Sequence, residues 1–397
     1  MTGLPAKLPQ TDWRGRPEMR RLLDVLGAPA GETRFVGGCV RDTLLGLAVS
    51  DVDLATRLAP QEVLDRLKAA AIKAVPTGLA HGTVTAVISG KPVEVTTLRR
   101  DVATDGRRAT IAYTGDWRED AARRDVTINA LFADPGTGEI HDYFGGLADL
   151  GERRVRFIGD ALTRIAEDHL RILRFFRFHA RFGRGGPDAE GLDACTQRAN
   201  DLMALSRERI ADELMKLLAL PEPAATVRLM IARGILKPVV PEIVDAEALE
   251  RLIEAERTYG IEPHPLRRFA ALLPPDSETA AAVAKRLRLS NKAAKRLALA
   301  AARNTGNAKR LAHAIGTEGA VDRLLLAGED PTGIRDWQPP RLPLSGGELI
   351  GMGLTAGPEV ARTLQAVERA WVEAGFPGRE AVRAIARAKV DEALAGR

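Results

Sequence analysis

A glycine pair set between a β-favouring run and two alternating carboxylates constrains this chain more than any other stretch. The segment is RFVGGCVRDTLLGLAVSDVDLAT, from Arg34 to Thr56. Arg34, Phe35 and Val36 favour a short strand, and at Gly37-Gly38 the missing side chains let the backbone turn sharply and approach a ligand. Leu44, Leu45 and Leu47 predict a short helix opened by that turn. Backbone N–H groups at a glycine turn and helix start form an anion site, to which Arg41 adds a fixed cation. A triphosphate fits there. Beyond it, Ser50 to Leu54 has the period of a strand, so Asp51 and Asp53 share one face while Val52 and Leu54 face a core. Two carboxylates on one face can share magnesium ions. Asp-x-Asp alone is an ordinary solvated strand, and Gly-Gly alone an ordinary turn; their succession is what points to nucleotide transfer.

The chain is long enough, at 397 residues, for roughly two to four domains or subdomains. Ala, Leu and Arg dominate its second half, which predicts packed helices over most of the molecule. A net charge of +5 suits a polyanionic partner without demanding one. Cys39 and Cys195 exclude a disulfide framework, and neither joins a histidine in a metal-ligand pattern. A reducing cytoplasm is expected. The first 21 residues hold no apolar core of signal-peptide length, and no run approaches the roughly 20 apolar residues of a membrane span, so no membrane partner is expected. No feature calls for an obligate protein partner.

Residues 1–30 read as a Pro-rich lead and a helix from Pro17 to Leu26, without chemistry. An amphipathic helix over Pro60–Ala71 should cover the sheet. Two strands follow, Gly82–Ser89 and Pro92–Leu98, joined at Gly90-Lys91. If the second runs beside the strand bearing Asp51 and Asp53, Glu94 faces the metals as a third carboxylate or orients them; a surface residue paired with a base is the other reading. Arg99 to Glu119, with Asp105-Gly106-Arg107-Arg108, reads as a mobile loop around one short strand. In the next segment Val126, Ile128 and Leu131 anchor, leaving Arg124, Asp125 and Asn129 for a ligand. Arg124 suits phosphate and Asp125 a ribose hydroxyl, although a helix start with local ion pairs accounts for the same residues. Asp142 to Asp149, with Gly145-Gly146, is a hinge or a plain connector.

A second informative stretch runs from Asp160 to Phe178. Leu162, Ile165, Leu170, Leu173 and Phe176 predict one buried helical stripe, with Asp160 as N-cap. Asp168, Arg171, Arg174 and Arg177 recur every three residues as a ridge beside it. Salt bridges such as Glu167 to Arg171 account for part of this, yet three arginines for two acids leave it unbalanced. Base-edge chemistry accounts for more. Cytosine and adenine each pair an exocyclic amino donor with a ring-nitrogen acceptor, so Asp168 can accept from the first while Arg171 donates to the second. Uracil and guanine leave both side chains mismatched, at a cost of about 1–3 kcal/mol each. Arg174 and Arg177 then hold phosphate or position Asp168.

From Leu202 the chain reads as helical throughout, including a helix capped by Ser206. Lys285, Arg286, Arg288, Lys292, Lys295 and Arg296 form its densest basic region and favour RNA backbone contact over a merely solvated face. A Pro-rich linker spans Asp336–Pro343, and Leu344–Glu359 leads into a helix with Pro358 in its first turn.

In order, Gly37-Gly38-Cys-Val-Arg41-Asp42 with Asp51-Val-Asp53, Arg123-Arg124-Asp125 with Asn129-Ala130, Asp142 with Gly145-Gly146, Glu167-Asp168-His-Leu-Arg171 and the segment around Arg209 resemble the five motifs of class II CCA-adding tRNA nucleotidyltransferases. Bacterial poly(A) polymerases share these motifs, and the likeness covers residues 30–220. The resemblance implies an α+β chain: a polymerase-beta-type nucleotidyltransferase head with a small mixed sheet (31–155) after the lead (1–30), then an all-helical base-reading neck (156–220), body (221–335) and tail (336–397) that hold tRNA. It implies that Asp51 and Asp53 bind catalytic Mg2+, as a two-ion site, that Gly38 and Arg41 meet the triphosphate, and that Arg124 and Asp125 hold the nucleotide. Asp168 and Arg171 would form a protein template, with Arg174 and Arg177 supporting. CTP and ATP would be the substrates and tRNA the acceptor. The alternatives are a poly(A) polymerase, an enzyme adding only CC or only A, and a catalytically inactive RNA-binding module.

Overall fold

The computed structural model describes residues 4–104 and 109–395, which form two compact units, Met1–Pro241 and Glu242–Arg397. In the first unit, α1 (Asp12–Gly15) and α2 (Pro17–Val25) precede β1 (Thr33–Val36), α3 (Gly38–Leu44), β2 (Val52–Thr56), α4 (Pro60–Ala69), β3 (Ala74–Gly78), β4 (Thr83–Ile88) and β5 (Lys91–Thr97). Then come β6 (Arg99–Thr104), β7 (Ala109–Tyr113), α5 (Trp117–Ala122), β8 (Phe132–Ala133), β9 (Ile140–His141) and α6 (Gly146–Gly151). Helices α7 (Ala161–Glu167), α8 (Arg171–Phe182), α9 (Ala189–Gln197), α10 (Arg207–Leu218) and α11 (Ala224–Ala232) complete it.

Seven strands make one mixed sheet in the order β3-β4-β5-β2-β1-β8-β9. Its parallel pair, β2 with β5, sets Asp53 level with Glu94, and β1 runs antiparallel to β2 with Phe35 opposite Leu54. The apolar residues of these central strands turn inward: Val36, Ala55 and Phe132 are buried with Leu98, Trp117 and Ile158 in one cluster. Burying a side chain such as Phe132 contributes roughly 2–3 kcal/mol, so this core fixes the end of the central strands where β1 stops and β2, carrying Asp53, begins.

Several expectations change against the structure. Leu47 lies outside α3, 43% exposed, because the helix ends at Leu44 and Gly46 takes a φ of 67°. β3 gave no strand signal, being an edge strand that holds Pro76 and whose residues are exposed or half-buried. Arg99 to Glu119 is not a loop around one strand. β6 and β7 pair antiparallel as a separate two-stranded ribbon, and α5 follows, capped by Asp116 accepting from Arg118 N. A ribbon outside the main sheet needs little apolar alternation, which explains its polar sequence; Asp105-Gly106-Arg107-Arg108 lie outside the described residues. Ser206 stands at the N-cap of α10 without a side-chain cap bond. The predicted single helix from Asp160 to Phe178 is two, α7 and α8, broken at Asp168, whose backbone is extended at φ −151° and ψ 106°. Asp168 Oδ1 accepts from Leu170 N at 3.1 Å, and this local bond replaces a helical one. Asp160 caps α7 as expected, accepting from Thr163 N at 2.8 Å.

The second unit is helical: α12 (Glu247–Thr258), α13 (Pro265–Leu272), α14 (Ser277–Arg286), α15 (Asn291–Ala301), α16 (Ala308–Ile315), α17 (Thr317–Ala327), α18 (Gly346–Gly351), α19 (Pro358–Glu373) and α20 (Arg379–Ala395). α18 is a further helix that the sequence did not announce, held by a capping box of Ser345 and Glu348. Among the described residues no helix is long and apolar enough to cross a membrane.

Candidate active site

The chain leaves β1 at Gly37, whose φ of 71° and ψ of −123° favour a residue without a Cβ. Gly37 and Gly38 open a cleft of about 400 Å³ into which Arg41, Asp53, Arg124, Asp125 and Asn129 project. Asp168, Arg171 and Arg174 close its other side. Arg123, which the sequence reading placed in a motif without a role of its own, and Phe178, which it did not single out, also line it. Five arginines against three aspartates give the cleft a positive balance, as a triphosphate requires.

Each cation on the turn side is held. Arg41 donates from Nε to Asp42 Oδ1 at 2.7 Å and from Nη1 to Asn129 Oδ1, while its guanidinium lies 4.0 Å from the Phe182 ring centre. Asp120, buried on α5, accepts from Arg123 Nε at 2.8 Å and Arg124 Nη2 at 3.0 Å. Burial opposes ionisation of Asp120, but Arg124 and Arg123 outweigh it and keep the carboxyl below its usual range. Asp125 behaves alike. Burial works against its charge, yet Arg174 and the Asn129 and Val126 hydrogen bonds hold it well below the ordinary carboxylate range. Its Oδ1 accepts from Val126 N at 2.8 Å and Asn129 Nδ2 at 3.0 Å, and its Oδ2 meets Arg174 Nη2 at 2.6 Å.

Opposite these cations stands a group of three acids. Asp53 is half-buried on β2, and its carboxyl is pushed up to about 6, first by burial and then by Glu94, with Asp51 adding repulsion and Arg124 relieving part of it. Glu94 is exposed on β5, in register with Asp53. Asp51 precedes β2, exposed, and takes a hydrogen bond from Ser50 Oγ at 2.8 Å. Neither Asp51 nor Glu94 lines the cleft itself. Among the described residues no three His, Cys, Asp or Glu side chains form a ready metal cage. Crowded carboxylates, one of them pushed up toward neutrality, are nonetheless a donor set that a cation relieves. Magnesium is usually held by one or two carboxylates together with substrate phosphates, not by an all-protein cage, and Asp51 with Asp53 fit that pattern.

On the far side the break at Asp168 sets the ridge. Asp168 and Arg171 reach the cleft, but they are not paired with each other. Arg171 Nη1 donates to Glu167 Oε2 at 2.6 Å and Nη2 to the Arg123 carbonyl at 2.8 Å; Asp168 Oδ2 accepts from Arg209 Nη2 at 2.8 Å. Arg177 stands outside the cleft lining and donates to Glu213 Oε2 at 2.6 Å. Farther along α8, Arg181 reaches Asp42 Oδ2 at 3.2 Å. Arg181 and Glu213 carry no motif signal, and the motifs that include Asp42 and Arg209 do not say which side chain each meets, since each finds its partner on a distant element.

In the second unit, Lys285, Arg288, Lys292 and Lys295 are exposed. Arg286 is tied to Glu242 at 2.5 Å, and Arg296 to Asp322 at 2.8 Å and to Glu318. Arg286 and Arg296 therefore have a structural occupation that the charge pattern did not show.

Comparison with family models matches residues 33–156 to the Poly A polymerase head domain and residues 187–247 to the probable RNA and SrmB-binding site of polymerase A. The mitochondrial CCA tRNA nucleotidyltransferase 1 of Mus musculus is 32% identical over 381 residues, which are 90% of this chain and 87% of that protein. The CCA-adding enzyme of Leuconostoc citreum is 40% identical over 214 residues, 53% of this chain and 50% of that protein. A crystal structure of the Bacillus stearothermophilus CCA-adding enzyme in complex with CTP superposes with a TM-score of 0.71 at 27% identity, covering 90% of this chain and 94% of that one. The fold is shared as well with the Thermotoga maritima CCA-adding enzyme complexed with tRNA, at a TM-score of 0.66 and 20% identity, over 96% of each chain.

Proposed function

The chain belongs to the CCA tRNA nucleotidyltransferase family, and from that premise we propose that it adds C, C and A to the 3′ end of tRNA from CTP and ATP with release of pyrophosphate. One observation carries the reading: a single cleft joins the Gly37-Gly38 turn and Asp53 on one side to Asp168 and Arg171 on the other. Phosphate chemistry and base selection thus meet in one nucleotide-sized space.

The chain's own groups divide the work. Backbone N–H groups at Gly38, with Arg41 and Arg124, bind the triphosphate and favour the charge that gathers on it as pyrophosphate departs. Arg41 is set for this by Asp42, Asn129 and the Phe182 ring, so little reorganisation accompanies binding. Asp125 and Asn129 form the floor under the sugar, and Arg174 locks that floor to α8. Asp168 and Arg171 read the base edge, and Arg177 supports the ridge through Glu213. Asp51 and Asp53 would hold Mg2+, with Glu94 orienting Asp53, and the metal would supply activation of the RNA 3′ hydroxyl and neutralisation of the triphosphate. Lys285, Arg288, Lys292 and Lys295 offer an exposed basic surface for the tRNA backbone. The two free, buried cysteines suit a reducing compartment such as the cytoplasm.

Purified protein given Mg2+, labelled CTP and ATP, and tRNA lacking its last three nucleotides tests the reading. Three additions that then stop are expected. A long A tract would identify a poly(A) polymerase, arrest after CC or the need for a CC-ending primer a partial enzyme, and no incorporation a binding module.

A further inference from the structure

Helix α10 carries two charged side chains four residues apart, Arg209 and Glu213, which lie on one helix face and meet the base-reading ridge with opposite charges. Arg209 Nη2 donates to Asp168 Oδ2 at 2.8 Å. Glu213, buried, accepts from Arg177 Nε at 2.6 Å and stands 3.9 Å from Arg174 Nη1. A cation thus faces the ridge's acid and an anion its bases.

Asp168 needs such a partner. It sits on extended backbone between α7 and α8, so no helix geometry dictates where its carboxylate points. One oxygen is occupied locally by Leu170 N at 3.1 Å. Arg171 gives it no support, being engaged by Glu167 and by the Arg164 and Arg123 carbonyls. Both members of the Asp168–Arg209 pair are about a third exposed, at 27% and 33%, and pairs of that exposure contribute little to folding stability. What the pair supplies is direction.

We propose that Arg209 is a positioning residue for base selection. It holds the Asp168 carboxylate aimed so that the oxygens accept from the amino group of cytosine or adenine and confront the carbonyl of uracil or guanine. The inference rests on Asp168 being the base acceptor. Without Arg209 the carboxylate swings, the favourable contact to C and A weakens, and the mismatch that rejects U and G is relieved.

The test uses the full-length protein, tRNA lacking its terminal CCA, and single incorporation of each of the four nucleoside triphosphates. Arg209→Gln is expected to raise the U:C and G:A incorporation ratios about tenfold, the scale of one base-edge contact. Arg209→Lys keeps the charge but not the planar fork, and a smaller rise, about threefold, is expected. A merely structural role lowers all four rates together and leaves both ratios where they were; that result overturns the proposal. If Arg209→Gln does not fold, by circular dichroism, Arg209→Lys decides, and unchanged ratios again overturn it. Asp168→Asn is measured beside them. If it leaves selectivity intact, the template reading itself has failed; if it relaxes selectivity while neither Arg209 variant does, the inference about Arg209 alone has failed. In the double variant Asp168→Asn/Arg209→Gln, ratios no higher than those of Asp168→Asn are expected, and independent, multiplying effects would refute the coupling.

Discussion

Replacing Asp125 by Asn probes how the sheet and α8 are held together around the cleft. The carboxylate meets Arg174 at 2.6 Å and accepts from Asn129 and Val126. Asn preserves the shape but removes the charge and sets an amide against a guanidinium. Losing one partner of a fully buried ion pair costs about 3–5 kcal/mol. Arg174 is 33% exposed and has Glu213 3.9 Å away, so solvent and a second acid absorb part of that, leaving about 2 kcal/mol. For a unit of this size each kcal/mol shifts the melting temperature by roughly 2–4 °C, so a fall of about 4–8 °C in the melting of the first unit is expected at neutral pH. The pH dependence carries a sign. Because the folded chain keeps this carboxyl well below its ordinary range, the unfolded chain takes up the proton first as the medium is acidified. The contribution is complete above about pH 4, near the unfolded value, and declines below it as the pH falls toward the folded value. Differential scanning calorimetry of both proteins at neutral pH and at about pH 3.5 should therefore show a gap that narrows in acid, since the variant has nothing to lose there. A gap below about 1 °C at neutral pH, or one that stays constant into acid, would refute the reasoning.

Gly146→Ala should destabilise the first unit by about 1–3 kcal/mol, because the added Cβ would stand 2.4 Å from the Thr127 carbonyl oxygen, a backbone atom that cannot step aside; a melting temperature equal to that of the parent would contradict this. Glu213→Gln leaves Arg177 without a charged acceptor in a buried site, and a loss of about 2 kcal/mol by urea unfolding is expected. Phe182→Leu removes the ring beneath Arg41. A cation–π contact of about 1 kcal/mol corresponds to a roughly fivefold rise in KM, equal for CTP and ATP, and a change confined to one nucleotide would show that Arg41 does not serve the shared triphosphate.

The strand, glycine turn and short helix were legible because each obeys a local rule. A φ of 71° at Gly37 selects glycine, and period-two alternation separates Asp53 from Leu54. The level placement of Glu94 beside Asp53 was legible only as a condition, since parallel pairing of β2 with β5 depends on a crossover that no local pattern reports. The break at Asp168 escaped the helical reading for a different reason. No Gly or Pro marks it; an aspartate bonding to the backbone two residues on does the same work without changing the apolar period.

The ridge shows most clearly what a one-dimensional reading omits. In the sequence its arginines outnumber nearby acids, and the surplus argues for phosphate. In the fold Arg171 is met by Glu167, Arg174 by Asp125, Arg177 by Glu213 and Arg181 by Asp42. Each successive acid lies on a different element: α7, the segment after α5, α10 and α3. The surplus is therefore first a code for where α8 docks. Of these arginines, Arg171 and Arg174 line the cleft while Arg177 does not. On the proposed function, charge for a triphosphate then comes mainly from the turn side, from Arg41 and Arg124, each anchored by a buried aspartate. An arginine that is paired before the nucleotide arrives gives up less freedom on binding than a mobile one, and this is the advantage that internal pairing gives the site.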